Sequence, residues 1–500
     1  MLRGEDVRLQ PAGLDREEAV ESSEVRELTS RVGGSGTRVQ GLRDRIVTRV
    51  SLWRPEAGDA VLYAGSALFA EFTARFSSIS LYRQWGELAL GPYLLAALIS
   101  ALSARAHRNR AGAERDARLA GEPVPPRTPG ATAGTRQWGP VRIWVFVFAL
   151  VGATVLPLSL EVAWRAQGNP TAHVQPEAVV VEQAAHRAAN GHDPYRLITS
   201  HGRVVVPTPP GQPTSESFFP YLPLMTLFGL PSSTKEPIAL TDSRIFFSMV
   251  TMLVVVGALV MSRGPNEPKV RTLQVLTVLP TAALPLATGG DDMPVVAFLL
   301  LAMVLAQRRR PGWSGFVLGV ASSMKFTAWP LAALALFAAR DAQGRRAPGR
   351  MALGMLVVAG PVVAPFVLRN PQAFVENVIL FPLGLSGVSS PAASALPGHV
   401  LVGIFPSLHR ILPVAVGVVG SSVLVARLLR RTPSTAAQVT ALAGWVMLVA
   451  FLLAPATRVG YLLYPLNFFV WSHLLREPER EPEPERSLLA AVAVPVTSSA

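Results

Sequence analysis

The sequence predicts an all-α protein that crosses a membrane about a dozen times, with both ends on the cytoplasmic side. Three observations predict it. Half of the 500 residues are hydrophobic, only 16% are charged and mean hydropathy is +0.35, which is more apolar surface than a soluble core needs. The apolar residues are gathered in runs that cross, or nearly cross, a hydrocarbon core of about 30 Å. Arginine and lysine are gathered between those runs, in connections that a strictly alternating chain would put on one side.

The runs fall at 60–77, 88–105, 142–163, 243–262, 272–288, 293–306, 313–324, 326–339, 350–368, 410–428, 435–454 and 458–474. Several are short. At about 1.5 Å per residue, 313–324 and 326–339 cover only about 20 Å each, so their shared corner should lie inside the membrane envelope. The basic clusters are Arg105, Arg108, Arg110, Arg115, Arg118, Arg127, Arg136 and Arg142; Arg263, Lys269 and Arg271; Arg308 to Arg310; Arg345, Arg346 and Arg350; and Arg427, Arg430 and Arg431. Strict alternation puts all of them in the cytoplasm. It leaves outside the loop 164–242, the corner Gly289-Gly290-Asp291-Asp292 and the loop 369–409. The stretch Phe218 to Leu230 must then begin and end outside. With Pro220, Pro223 and Pro231 in or beside it, it reads as a juxtamembrane or re-entrant helix.

The domain organisation follows from these runs. A disordered cytoplasmic tail at 1–58 precedes a two-helix hairpin at 59–105, and a Pro-, Gly- and Arg-rich cytoplasmic linker at 106–140 leads to a transmembrane core at 141–475. A cytoplasmic tail at 476–500 opens on the charge run REPEREPEPER. No cleavable signal is expected ahead of the first run, and no internal repeat suggests the inverted halves of a transporter.

The formal charge is +13 and the pI about 10.9. In a soluble chain that balance would suggest nucleic acid, but here the arginines orient apolar spans, so no nucleic-acid partner is expected. Cysteine is absent, which excludes disulfides and thiolate metal sites. No phosphate-cradling Gly loop, Walker sequence or nucleophile elbow occurs, which disfavours ATP-driven transport and serine chemistry.

The long loop 164–242 is the first place to look for chemistry. Gln175-Pro176-Glu177 through Asn190-Gly191-His192-Asp193-Pro194-Tyr195 reads as a short helix closed by Gly191 and an Asp-Pro turn. Glu177 at its start can serve the helix dipole, or can act as a general base on a hydroxyl. Glu182 lies five residues on, roughly 140° around the helix, so one site is not expected to use both. Lys325, at the corner of the two short runs, is a cation placed so deep that it needs a partner or water. A snorkelling lysine is the alternative. Arg458 stands at the outer end of the last run, against the charge bias, and suits a phosphate or an ion-pair anchor. Asp291 and Asp292 open a span after two glycines, where they serve the helix N-terminus or line a polar lip. Two adjacent carboxylates make a poor metal cage, and His173, His186, His192 and His201 lack zinc-ligand spacing, so no metal is expected.

Taken in order, Gln175-Pro176-Glu177, Asn190 to Tyr195 (NGHDPY), Phe219-Pro220-Tyr221-Leu222-Pro223, Gly289 to Pro294 (GGDDMP), Met324-Lys325-Phe326-Thr327, Asn370-Pro371 with Phe374-Val375-Glu376, and Arg458 to Pro465 (RVGYLLYP) carry a resemblance. The chain over roughly 140–475 resembles the actinobacterial polyprenol-phosphate-mannose-dependent mannosyltransferases of the GT-C superfamily of membrane glycosyltransferases. The resemblance implies a catalytic carboxylate in the first extracytoplasmic loop, usually aspartate, and counting back from Asp193-Pro194-Tyr195 puts Glu177 at that place. It further implies inverting transfer of a hexose, mannose in those enzymes, from a polyprenyl-phosphate sugar to an extracytoplasmic glycolipid or glycan in the plasma membrane. The lipid-linked sugar is a substrate, and no cofactor is implied. On this reading Glu177 is the base, Lys325 and Arg458 hold the donor phosphate, and Tyr195, Tyr221, Asp291, Asp292 and Glu182 line the substrate cavity. Two rivals share the span count: a transporter or lipid flippase, which should carry ionisable residues near the midplane, and a noncatalytic scaffold.

Overall fold

The structure, a computed structural model, describes residues 55–121, 139–200, 203–206, 213–388 and 391–476. The tails expected at 1–58 and 476–500 and the linker at 106–140 lie largely or in good part outside these residues, as do Arg127, Arg136 and His201.

The described chain is helical apart from its loops and a two-residue hairpin in which Thr199 faces Val204. In order the longer helices are α1 (Pro55–Phe76), α2 (Ser80–Leu119), α3 (Pro140–Gln167), α4 (Pro176–Ala189), α5 (Ser243–Met261), α6 (Asn266–Thr277), α7 (Pro280–Thr288), α8 (Asp292–Gln307), α9 (Pro311–Ser322), α10 (Trp329–Gln343), α11 (Ala347–Arg369), α12 (Pro397–Ile404), α13 (Leu408–Arg430), α14 (Ala436–Leu453) and α15 (Leu463–Leu474). Many starts are written locally. Pro140, Pro176, Pro280 and Pro311 each stand in a first turn, where the missing N–H has no intrahelical partner to lose. Asp242 caps α5 by accepting from the Arg244 N–H at 3.0 Å.

Among the described residues, seven helical segments are long and apolar enough to cross a membrane: Ser80–Leu119, Pro140–Gln167, Ile238–Met261, Asn266–Thr288, Ala347–Arg369, Ile411–Arg430 and Ala436–Leu453. The protein is therefore an all-α polytopic membrane protein. Other runs read from the sequence form shorter helices, such as α9, α10 and α15, which at about 1.5 Å per residue reach only about 18–23 Å. Helix α2 continues to Leu119, past its apolar run and into the polar segment. Alanine and arginine dominate that extension and keep its helix propensity high.

The expected helix at Phe218–Leu230 is instead an extended strip followed by 3₁₀ turns at Pro223–Phe228 and Leu230–Ser233. Pro220, Pro223 and Pro231 deny the strip regular helical bonds. Its backbone is satisfied elsewhere: the Leu222 and Leu224 N–H groups donate to the carbonyls of Met324 and Ser323. Phe218, Phe219, Tyr221 and Leu222 are buried, so the strip is an inner wall.

Close packing rests on small residues. A Cβ on Gly315 of α9 would stand 2.0 Å from the Met351 carbonyl of α11, and one on Gly354 would stand 2.3 Å from the Gly312 carbonyl. The two backbones therefore touch, as small-residue interfaces in membranes allow.

The ends of α3, roughly 40 Å apart for 28 residues, carry different chemistry. At its start Arg142 pairs with Asp59 at 2.5 Å and Glu267 at 2.7 Å, and Arg271 also pairs with Asp59. The basic connections meet near this end: Arg263 N donates to Gln307 at 3.3 Å, Arg308 bonds the Met261 carbonyl, and Arg309 reaches the Ala342 carbonyl at 3.2 Å. At the other end Arg165 pairs with Glu182 at 2.6 Å and Asp242 at 2.8 Å, and α4 begins beside the end of α7.

Candidate active site

The loop end of the bundle brings four chain segments together. The first is the start of α4. Gln175 donates its backbone N–H to the Thr288 carbonyl at 2.9 Å and its side-chain amide to Thr288 Oγ1 at 2.6 Å, which ties α4 to the end of α7. Two residues on, Glu177 pairs through Oε1 with Arg458.

The second segment is the corner between α7 and α8. Gly289 ends α7 with φ +116°, a conformation that side chains disfavour. A Cβ on Gly290 would stand 2.3 Å from Pro285 Cβ. The two glycines let the chain turn sharply, which delivers Asp291 and Asp292 to Lys325.

The third segment is the corner between α9 and α10. Lys325 Nζ lies 3.0 Å from Asp291 Oδ1 and 2.7 Å from Asp292 Oδ1. The lysine is buried, and its ion-pair partners are two acidic side chains of the protein. Its ammonium also stands 5.2 Å from the Tyr221 ring centre and 5.8 Å from that of Tyr461. Burial pushes the Asp291 carboxyl up to about 7, against the pull of Lys325. Asp291 Oδ2 is buried, and among the described residues nothing donates to it.

The fourth segment is Arg458 with the turn Val459–Leu462 that follows it. Tyr461 lies within electrostatic reach of Lys325, Arg458, Asp292 and Glu177, so the two ion pairs share one site. Tyr464 closes the base, donating to Asp292 at 2.6 Å and sharing a 2.6 Å bond with Thr327.

The structure thus gathers Glu177, Arg458, Lys325, Asp291, Asp292 and Tyr221. Two residues picked from the sequence stand apart. Glu182, on another face of α4, is held by Arg165 and by Ser243, whose backbone N–H and hydroxyl both donate to it. Tyr195 is buried among Phe219, Phe366 and Phe374 with its hydroxyl on the Tyr221 carbonyl at 2.8 Å; it supports the wall from behind.

Sequence reasoning passed over Tyr82, Gln175, Glu216, Tyr461 and Tyr464. Burial and the nearby Glu177 carboxylate push the Glu216 carboxyl up, which marks it as a neighbour of the site. One signal was available: the chain has only seven tyrosines, and Tyr221, Tyr461 and Tyr464 lie in the aromatic-rich motifs already singled out. Glu376, noticed only as part of a motif, also has a clear task. It accepts from the backbone N–H groups of Ile198 at 2.8 Å and Thr199 at 2.7 Å and from the Thr199 hydroxyl, and so pins the loop hairpin to the segment after α11.

Residues 219–455, somewhat less than half of the chain, match the sequence model of glycosyltransferase family 87. The match supports a membrane glycosyltransferase of the GT-C type, hence an enzyme that binds a sugar donor and an acceptor. It covers Tyr221, Asp291, Asp292 and Lys325, while Glu177 precedes it and Arg458 follows it. No curated protein and no solved structure matches the chain.

Proposed function

We propose that the protein transfers a hexose, mannose in particular, from a polyprenyl-phosphate carrier to an extracytoplasmic glycolipid or glycan, with inversion at the anomeric carbon. The observation that carries the reading is the meeting of a Glu177–Arg458 pair and a Lys325–Asp291–Asp292 cluster around Tyr221 and Tyr461. Among the described residues both cations keep donors to spare. An ammonium has three and Lys325 uses two on carboxylates, while a guanidinium has five and Arg458 gives Glu177 only part of its fork.

In the proposed reaction the acceptor hydroxyl passes its proton to Glu177 as its oxygen attacks the anomeric carbon. The bond from that carbon to the phosphate oxygen breaks, and its electron pair stays on the phosphate. Lys325 and Arg458 meet the charge that develops there. The lipid donor enters sideways from the plasma membrane, and the arginine-rich connections stay in the cytoplasm with both termini.

The test uses membranes supplied with polyprenyl-phosphate mannose and an extracted glycolipid acceptor. Glu177→Gln should lower transfer by about 10²–10⁴-fold, the usual contribution of a positioned base. Full transfer by that variant removes Glu177 from the chemistry. Movement of the lipid across the bilayer with no covalent product would make the protein a transporter.

A further inference from the structure

The hairpin α1–α2 precedes both Glu177 and the matched segment, yet it reaches the site. Tyr82, in the first turn of α2, accepts a hydrogen bond at 2.9 Å from the same Gln175 amide that bonds Thr288. It also stands within electrostatic reach of Glu177 and Arg458. Gln175 is the residue before α4 and lies two residues ahead of Glu177, so whatever fixes Gln175 fixes the base.

The hairpin is held too firmly to be a loose appendage. Its two helices touch at Gly86, where a Cβ would stand 2.6 Å from the Ala70 carbonyl. Trp85 donates its indole N–H to the Ala153 carbonyl at 2.9 Å. That carbonyl belongs to the π-helical turn Val151–Val155 of α3, a geometry that loosens the helical ladder and leaves a carbonyl for an outside donor. Pro92 fills the space over Gly152, where a Cβ would stand 2.5 Å from Pro92 Cγ. Tyr93 bonds the Val278 carbonyl at 2.5 Å, and Asp59 pairs with Arg142 and Arg271 at the far end. Polar ties at three depths set where Tyr82 stands relative to α3 and α7.

We propose that Tyr82 is a positioning residue of the transferase site: through Gln175 it holds the start of α4, and with it Glu177, in register with Arg458. The inference rests on the proposed glycosyl transfer for its kinetic test, and a second measurement does not.

The kinetic test compares wild type, Tyr82→Phe, Gln175→Ala and the double variant in nanodiscs with polyprenyl-phosphate mannose as donor. Tyr82→Phe keeps the ring and removes the acceptor oxygen. We expect kcat to fall about tenfold with donor KM within twofold and the melting midpoint unchanged. The double variant should be no worse than the poorer single one, because both break one connection. An unchanged kcat in Tyr82→Phe, or losses that multiply in the double variant, overturns the proposal.

The second measurement needs no turnover. The chain has no cysteine, so Glu177→Cys creates a single thiol whose modification rate by a charged methanethiosulfonate reports the position of residue 177. Adding Tyr82→Phe should change that rate several-fold, and an unchanged rate overturns the positioning role. If wild type turns over no lipid-linked sugar, the transferase reading falls and the thiol rates alone decide whether Tyr82 sets residue 177.

Discussion

Replacing Lys325 with methionine leaves two carboxylates facing each other in a corner that has no other cation at hydrogen-bond distance among the described residues. The Lys325, Asp291 and Asp292 side chains are 7, 3 and 16% exposed, and the ammonium lies 3.0 and 2.7 Å from the two acids. Removing one partner of a buried ion pair costs about 3–5 kcal/mol, because the remaining charge has lost both water and counter-ion. The formal charge of the corner passes from −1 to −2 in Lys325→Met, and returns to −1 when Asp291→Asn is added. The double variant should therefore regain most of the lost stability while staying inactive, since in the proposed reaction Lys325 meets the charge that develops on the donor phosphate. Asp291 adds a pH signature. A buried acid whose folded pKa is raised costs stability once pH exceeds its unfolded value, and that cost grows until pH passes the folded value. Burial already pushes Asp291 up against the pull of Lys325, and losing the ammonium pushes it up further, so the penalty in Lys325→Met should be smaller at about pH 5.5 than at about pH 8, where the carboxyl gives up more of its proton. Apparent melting midpoints in nanodiscs, followed by intrinsic fluorescence at both pH values, measure this. The reasoning is refuted if the single variant melts with wild type at both, or if the double variant melts below the single one.

Two further changes test the scaffold. Gly315→Leu drives a side chain into the Met351 carbonyl, for which there is 2.0 Å of room; overpacking of this kind costs typically about 1–3 kcal/mol and more where backbone must move, so the variant should melt lower and elute less uniformly. Glu376→Ala strands the Ile198 and Thr199 N–H groups, each worth about 1–3 kcal/mol when buried without a partner. Hydrogen exchange at 198–200 should accelerate while exchange in α8 stays as in wild type.

The all-α, membrane-crossing character was legible in the sequence because apolar runs are local signals, though they suggested about a dozen spans where seven described segments are long and apolar enough to cross. That Lys325 needs a partner was legible too, since a deep ammonium is costly alone, but not that Asp291 and Asp292 supply it, because that contact joins segments 34 residues apart. The shape of Phe218–Leu230 was harder to read. An apolar run with three prolines is consistent with a broken helix or with a buried strip, and only the carbonyls of Ser323 and Met324, a hundred residues away, decide it. The Glu177–Arg458 pairing joins residues 281 apart, and periodicity carries no information on such contacts. Glu182 illustrates the converse. Its acidity is visible in the sequence, but its employment by Arg165 and Ser243 follows from how α3, α4 and α5 converge. Tyr82 lay in a hairpin whose purpose had no local signature, because its hydrogen bond to Gln175 spans 93 positions.

The decisive measurement is a cryo-EM map of the protein in nanodiscs with a non-hydrolysable polyprenyl-phosphonate mannose. Phosphonate density should bridge Lys325 Nζ and the Arg458 guanidinium, with the anomeric carbon turned toward the Glu177 carboxylate. A phosphonate bound away from both cations, or seated among the arginines at the opposite end of α3, would contradict a single lipid-phosphate site built on these residues.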